Sequence, residues 1–256
     1  MTQNALMFTI ATAPKPAAQA LLQDGLTLLQ PEELAATLRL GQAEWTAGWN
    51  MLTASWMRLA PDTHLKDGGH YRKRRHSCFV QDVTAATLLQ TAHRAHWQPT
   101  DYNALHGGFE RWFEPIEDEV AKAGAWTDLL THLGQLFAQV KPVKRWYIEA
   151  HQFRIDTTGG VGRPTPEGAH RDGVDFVVVM LIGRQGVKGG ETRVFDANGP
   201  HGVRFLMSQP LTSLLLDDAR VIHETTPIQP ADDQTMEGFR DTLVLTYRAD
   251  GFQAQE

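Results

Sequence analysis

The feature that most constrains this chain is a histidine–arginine–aspartate–glycine sequence at residues 170–173, just before an apolar run at residues 176–182. In extended backbone, side chains two residues apart point the same way. A ring nitrogen of His170 and a carboxylate oxygen of Asp172 can therefore aim at one point. A carboxylate beside a buried strand must be paired, hydrogen-bonded or bound to a cation.

A histidine and a carboxylate supply two ligands of the facial triad that holds non-haem Fe(II). The third ligand would be a histidine on a later strand, and His223 lies in such a strand-like run. We therefore expect His170, Asp172 and His223 to bind one metal ion. Two nitrogens and one oxygen leave positions open for other ligands, which suits Fe(II), but three-ligand zinc sites also exist, so the residues alone leave the metal open.

Arg240 and Thr242 form a second polar pair on one face of another strand-like run. A guanidinium is always charged and can bind a carboxylate through two parallel hydrogen bonds. The alternative for Arg240 is a surface ion pair with Glu237 or Asp241. Arg248 lies too far along the same strand to contact the same small carboxylate ligand.

In this order, the motifs resemble those of the Fe(II)- and 2-oxoglutarate-dependent dioxygenases. Residues 170–176, 189–192 and 223–227 are similar to the bacterial branch that hydroxylates free amino acids, which includes the isoleucine dioxygenases. The resemblance covers residues 145–248 and is looser before them.

The resemblance implies an enzyme that uses Fe(II), 2-oxoglutarate and O2. In such an enzyme 2-oxoglutarate is oxidised to succinate and CO2 while the substrate is hydroxylated. His170, Asp172 and His223 would hold the iron, and Arg240 and Thr242 would hold the far carboxylate of 2-oxoglutarate. The substrate would be a small carboxylate-bearing metabolite, a free L-amino acid.

The substrate site is sought among polar residues that iron and 2-oxoglutarate do not need. Arg72 and Arg74 share one face of a strand-like run, for which a solvated basic strand is the alternative reading. An arginine could bind the substrate carboxylate, and Glu149 could accept its ammonium group. Three further candidates lie on the strand that enters the barrel: Glu149, Gln152 and Arg154. A Gly- and Pro-rich loop follows at 157–168, and we interpret it as a lid.

Helical patterns dominate residues 1–144, and short strand-like runs dominate residues 145–250. We therefore predict one α+β domain over 1–256, with a double-stranded β-helix (jelly-roll) core at 145–250 and an N-terminal helical layer packed on one face. Residues 189–190, both glycine, predict a tight hairpin turn. Helices are expected at 17–59, 85–96 and 117–140, an edge strand at 6–11, and further strands at 146–155, 174–182, 191–196, 203–208, 213–216, 220–224 and 242–248.

Charge and cysteine content narrow the class of protein. With 24 Lys and Arg against 30 Asp and Glu, the net charge of −6 argues against a general nucleic-acid binder. A single cysteine, Cys78, fits a reducing compartment, and no signal peptide or membrane-spanning run is evident. We expect a cytoplasmic protein without a nucleic-acid or membrane partner, and the oligomeric state stays open, a homo-oligomer included.

Two other functions fit the same motifs. One is a cupin-type metalloenzyme that does not use 2-oxoglutarate, and the other is a non-catalytic jelly-roll binding or sensor protein. Arg240 and Thr242 favour the 2-oxoglutarate enzyme, because an iron dioxygenase without a diacid co-substrate has no use for that pair.

Overall fold

The structure is a computed structural model that describes residues 15–103, 105, 107–235 and 237–254. The edge strand expected at residues 6–11 lies outside this range. The helices are α1 (Ala17–Asp24), α2 (Pro31–Thr37), α3 (Gln42–Leu52), a 3₁₀ helix (Thr53–Arg58), α4 (Asp118–Ala121) and α5 (Gly124–Val140). The strands are β1 (Leu26–Leu29), β2 (Ala60–Pro61), β3 (Arg72–Asp82), β4 (Thr87–Gln90), β5 (Arg145–Asp156), β6 (Phe176–Gln185), β7 (Val187–Gly189), β8 (Thr192–Asp196), β9 (Gly202–Phe205), β10 (Ser213–Asp217), β11 (Val221–Thr225), β12 (Ile228–Pro230) and β13 (Phe239–Arg248).

One large sheet and two small ones build the β part, and all pairings are antiparallel. The large sheet has the order β1-β10-β6-β13-β5-β3-β2, with β4 paired to β3. The small sheets are β11-β8-β9 and β12-β7. This arrangement is the expected double-stranded β-helix, and the α+β assignment is confirmed.

Strand β6 shows how the layers meet, because its side chains alternate between two apolar cores. Val178 and Met180 pack with the helices on the outer face of the large sheet. Val177 and Val179 pack inward with Val194 of β8. Burial of each such side chain contributes about 1.5–3 kcal/mol.

The helical layer owes its position to large apolar side chains. Trp49 of α3 and Trp126 of α5 are fully buried, with ring centroids 6.1 Å apart. Trp56 lies beyond the end of α3, in the 3₁₀ helix, and its ring N–H donates to the Thr242 carbonyl 3.2 Å away. The indole thereby joins the helical layer to strand β13.

Three expected helices differ in the structure. Residues 17–59 divide into α1, β1, α2, α3 and the 3₁₀ helix, because residues 26–29 pair with β10 instead of continuing the helix. Residues 85–96 contain no helix; β4 pairs with β3, so sheet pairing overrides a weak helical pattern. The helix expected at 117–140 is broken between α4 and α5.

The division at residue 144 is also corrected. Strand β3, from the first part of the chain, lies between β5 and β2 in the large sheet, and β1 extends the opposite end. The strands expected after residue 145 are all present, with β7 and β12 in addition. None of the helices in the described ranges has both the length and the apolar character needed to cross a membrane.

Candidate metal centre and substrate cavity

A cavity opens between the large sheet and the small sheets. Strands β3, β5, β11 and β13 supply its walls, and the loop before β6 covers part of it. The empty space of the cavity and its open mouth, together with the solvent that adjoins them, is about 930 Å³.

His170, Asp172 and His223 converge at one side of this cavity. His170 and His223 pair through their backbones, with N–H to carbonyl distances of 3.0 and 2.9 Å. Asp172 bridges their rings: Oδ1 lies 3.9 Å from His170 Nε2, and Oδ2 lies 3.8 Å from His223 Nε2. One ligand atom from each residue falls within 4.8 Å of the other two, so a single ion can contact all three.

The ring tautomers suit a metal. Nδ1 of His170 lies 2.9 Å from the Gly168 carbonyl, which can only accept, so this nitrogen carries the proton and Nε2 keeps its lone pair. Burial lowers the pKa of His223 well below its ordinary value, which favours the neutral ring that metals bind. Burial also lowers the pKa of His170, but the charges of Asp172 and Glu167 outweigh it and raise that pKa overall.

Asp172 is held in place by residues that the sequence interpretation did not identify. The Gln98 amide donates to Asp172 Oδ1 over 3.1 Å. The oxygen of the same amide accepts from Arg111 and Asn103, which fixes the amide orientation.

Asp218 supports the ligand loop from beneath. Its carboxylate accepts the backbone N–H groups of Asp172, Gly173 and Val174 at 2.8–3.1 Å. Burial, together with the charge of Asp172, raises the pKa of Asp218 to about 6. In the sequence, Asp218 is recognisable only as a carboxylate directly after an apolar strand. Nothing in the sequence indicates that it contacts the backbone at residue 172.

Arg240 lines the cavity and has donors without acceptors. The residue is 2% exposed, and neither Nε nor Nη2 has a hydrogen-bond partner within the described residues. Burial, together with the charge of Arg184, lowers its pKa to about 10. The surface ion pair considered for Arg240 is therefore absent, because Asp241 pairs with Arg154 instead. A buried guanidinium with free N–H groups is a site for an anion, and Thr242 lines the same cavity.

Gly189 and Gly190 do not form the expected hairpin. Strand β7 pairs with β12, whereas β8 pairs with β11, so the two glycines carry the chain from one small sheet to the other. A Cβ at Gly190 would lie 3.0 Å from Ile228 and 3.5 Å from Arg240. A larger residue would therefore crowd the Arg240 side chain.

The residues expected to bind the substrate lie on different faces of their strands, and only some of them line the cavity. Arg72, Arg74 and Glu149 line the cavity. Gln152 and Arg154 do not: the Gln152 amide donates to Ser55, and Arg154 is paired with Asp241. Side chains alternate along β5, so the even-numbered residues face the helical layer and the expectation for these two was wrong.

Arg72 and Arg74 are anchored by one carboxylate. Arg72 Nε donates to Asp62 Oδ2 at 2.7 Å, and Arg74 Nη1 lies 3.8 Å from the same atom. Phe113 and Phe153 flank the Arg74 guanidinium, at 3.7 and 4.5 Å. Arg72 Nη2 and Arg74 Nε have no acceptor in the described ranges. The solvated basic strand is therefore excluded for these two residues.

Glu149 accepts from a group of buried histidines. Its Oε2 lies 2.9 Å from His76 Nε2 and 2.6 Å from His96 Nδ1, and His151 Nε2 is 3.9 Å away. Burial alone would raise the pKa of Glu149, but the two bonded rings bring it well below its usual range.

These four residues have the spacing of a metal site, but the tautomer of His151 opposes one. Arg74 Nη2 lies 2.7 Å from His151 Nδ1, and arginine only donates, so Nδ1 must accept. The neutral ring then carries its proton on Nε2, which therefore has no lone pair for a metal. The group is a hydrogen-bonded network that ties Arg74 to Glu149.

The chain is similar to known proteins both in sequence and in fold. Residues 53–246 match the protein family described as 2OG-Fe dioxygenase. A crystal structure of a bsmA homolog (Mpe_A2762) from Methylobium petroleophilum PM1 is 58% identical, covers 94% of both chains and superposes with a TM-score of 0.88.

Two more distant structures share the fold. IDO from Bacillus thuringiensis is 17% identical over 95% of this chain and 99% of its own, with a TM-score of 0.75. The Fe(II)/(alpha)ketoglutarate-dependent dioxygenase TqaL is 20% identical over 93% of this chain and 90% of its own, with a TM-score of 0.69. A search of curated proteins found no match.

Proposed function

The chain belongs to the 2OG-Fe dioxygenase family, and from this premise we propose that it hydroxylates a small carboxylate-bearing metabolite, a free L-amino acid. Family membership makes the protein an enzyme that uses Fe(II), 2-oxoglutarate and O2. It also sets aside the cupin-type enzyme without 2-oxoglutarate and the non-catalytic binding protein.

The iron, when bound, couples oxidation of 2-oxoglutarate by O2, to succinate and CO2, with insertion of one oxygen atom into a substrate C–H bond. His170, Asp172 and His223 are the proposed ligands, and their convergence supports that role. Arg240 is proposed to bind the far carboxylate of 2-oxoglutarate, with Thr242 adding a hydroxyl. The buried, unpartnered nitrogens of Arg240 support this assignment.

One observation carries the substrate proposal: Arg72 and Arg74 line the cavity with guanidinium nitrogens that have no acceptor among the described residues. Arg240 accounts for one carboxylate, so this second cationic group requires another. Both arginines are held from behind by Asp62, and such fixed donors lose little entropy on binding. A substrate carboxylate would satisfy both free N–H groups.

The protein's single cysteine, Cys78, cannot form an intrachain disulfide, which supports an intracellular proposal. Burial raises the pKa of this thiol, which keeps it protonated and unreactive. We propose a reducing, cytoplasmic location.

The test is a screen of the proteinogenic L-amino acids for acceleration of succinate release, with Fe(II), 2-oxoglutarate and O2 supplied. We expect aliphatic amino acids to stimulate turnover. Arg72→Ala should raise KM for the amino acid about 30-fold or more, since it removes one partner of a buried charge pair, while iron binding is retained.

Arg163→Ala is the matched control, because Arg163 is half exposed and does not line the cavity in the described part of the chain. It should behave as wild type. The amino-acid proposal fails if no free amino acid accelerates succinate release at millimolar concentration, and the fold and family would stand.

A further inference from the structure

Of the three carboxylates that line the cavity in the described ranges, Glu167 alone belongs neither to the metal triad nor to the histidine network around Glu149. Its Oε2 is buried without a hydrogen-bond partner there, and its side chain is 13% exposed. Glu149, by contrast, accepts from His76 and His96. A buried carboxylate oxygen without a donor is costly, so the position of Oε2 needs an explanation.

A short turn fixes the position of Glu167 beside the metal ligands. The Gly168 N–H donates to the Thr165 carbonyl at 3.0 Å, and Pro166 and Glu167 occupy the centre of the turn. Gly168 has a φ of +82°, which glycine adopts readily, and its carbonyl faces His170 Nδ1 at 2.9 Å. The same turn therefore orients a metal ligand and presents Glu167 to the cavity.

Two further contacts attach this turn to the β core. The Thr165 hydroxyl donates to the Thr225 carbonyl at 3.0 Å and accepts from the Thr225 N–H at 3.1 Å. Thr225 follows His223 on β11 by two residues. Glu167 is thus carried on backbone tied to the strand that bears His223.

Glu167 lies next to the metal group without belonging to it. Its Oε1 is 3.6 Å from His170 Nε2, yet the set of atoms within 4.8 Å of one another contains only His170, Asp172 and His223. Glu167 is therefore left to bind something beside the metal.

The charges lining the cavity indicate what that partner is. Among the described residues, three arginines and three carboxylates line it: Arg72, Arg74, Arg240, Glu149, Glu167 and Asp172. The two positive charges of Fe(II) match the two carboxylates of 2-oxoglutarate. With Fe(II) and 2-oxoglutarate bound, the cavity would thus be close to neutral. A zwitterionic substrate preserves that neutrality, whereas a monoanionic substrate adds an uncompensated buried charge.

Glu167, Arg72 and Arg74 all line this cavity. The ammonium and carboxylate groups of an α-amino acid are attached to one carbon and need partners of opposite charge close together. Arg72 with Arg74 and Glu167 provide such a pair.

We infer that Glu167 binds the α-ammonium group of the substrate and makes the enzyme select amino acids over 2-hydroxy acids. This inference rests on the proposed function and names the residue responsible for its selectivity. Glu149 is less suited, because one of its oxygens already accepts from two histidines.

The test measures binding to protein loaded with Fe(II) and 2-oxoglutarate under anaerobic conditions, so turnover is not required. Titration calorimetry compares each stimulating amino acid with the 2-hydroxy acid of the same carbon skeleton. Wild type should prefer the amino acid. In Glu167→Gln the amino-acid Kd should rise about 100-fold, as expected when one partner of a buried charge pair is lost, while that of the hydroxy acid changes little.

Glu167→Asp keeps the charge and should restore part of the preference. Glu191→Gln is the matched control, since Glu191 pairs with Arg193 and does not line the cavity in the described chain. Unchanged amino-acid affinity in Glu167→Gln would overturn the inference but leave the proposed function intact. An equal loss of Fe(II) affinity and of amino-acid affinity in Glu167→Gln would also overturn the inference, because Glu167 would then be a metal ligand. If only hydroxy acids bind to wild type, both the inference and the amino-acid proposal are wrong.

Discussion

At the scale of single residues, the cavity depends on buried polar atoms that lack partners within the described residues. Arg240, Arg72, Arg74 and Glu167 each contribute one or more such atoms. Each atom costs folding energy when nothing fills the cavity, because it gives up hydrogen bonds to water. Their presence around one cavity indicates a site built for charged ligands.

Arg240→Ala should weaken 2-oxoglutarate binding by about 2–5 kcal/mol, because a buried carboxylate loses its charged partner. The KM for 2-oxoglutarate, measured by succinate release, should rise far more than the KM for the amino acid. Arg248→Ala is the control on the same strand; its Nη1 donates to the Gly251 carbonyl. An equal increase in both KM values in Arg240→Ala would point to general disruption.

The metal assignment makes a prediction about the two histidine groups. Protein saturated with Fe(II) or Zn(II) should contain one divalent ion per chain, because the His151 tautomer disfavours a second site. His223→Ala should lose that ion, whereas His151→Ala should keep it, as measured by elemental analysis of dialysed protein. Two ions per chain in wild type would refute the tautomer argument.

Among the secondary-structure elements, strand β5 has side chains that alternate between the cavity and the helical layer, so neighbouring residues have different roles. Arg154, on the helical face, forms two hydrogen bonds to Asp241 of β13, at 2.8 and 2.5 Å. Its guanidinium also lies 4.2 Å from the Phe239 ring. This buried pair joins neighbouring strands and does not line the cavity.

Arg154→Ala should therefore reduce stability, not substrate binding. Loss of one partner of a buried pair costs about 3–5 kcal/mol, and the double substitution Arg154→Met with Asp241→Leu should recover most of it. Urea denaturation measures both variants. An Arg154→Ala enzyme of normal stability that no longer responds to amino acids would show that Arg154 belongs to the substrate site after all.

Sequence patterns predicted the strands after residue 145 well, because the strand-like runs there are separated by Gly, Pro, Asn and Asp. They also pointed to His170, Asp172 and His223, since the first two share one face of an extended segment and the third lies on a later strand. They failed for Gln152 and Arg154, since the face of a strand that points inward depends on tertiary packing. Glu167, Gln98 and Asp218 were missed because their roles depend on contacts between distant segments.

At the scale of the whole molecule, the buried histidines link stability to pH. Burial lowers the pKa of His96 from 6.5 to about 4, and it lowers the pKa values of His76 and His151 too. As pH falls below 6.5 the unfolded chain binds protons that the folded protein does not. The contribution of these three histidines to the free energy of unfolding is therefore greatest above pH 6.5 and is lost as pH falls towards 4.

For His96 alone this loss amounts to about 3 kcal/mol. His96→Gln, which can still donate to Glu149, should make the free energy of unfolding depend less steeply on pH between 6.5 and 4. The exposed His201 provides the control substitution, His201→Gln. Urea titrations at several pH values would measure the slopes, and identical slopes for His96→Gln and wild type would count against this explanation.

We propose above all that the protein hydroxylates a free amino acid in this cavity, with oxygen taken from O2. The most direct measurement is a reaction under ¹⁸O₂ with Fe(II), 2-oxoglutarate and the stimulating amino acid, analysed by mass spectrometry. We predict one ¹⁸O atom in the amino acid for each succinate formed, and neither product from His223→Ala. Succinate formed without any labelled amino acid, for every free amino acid tested, would contradict the account.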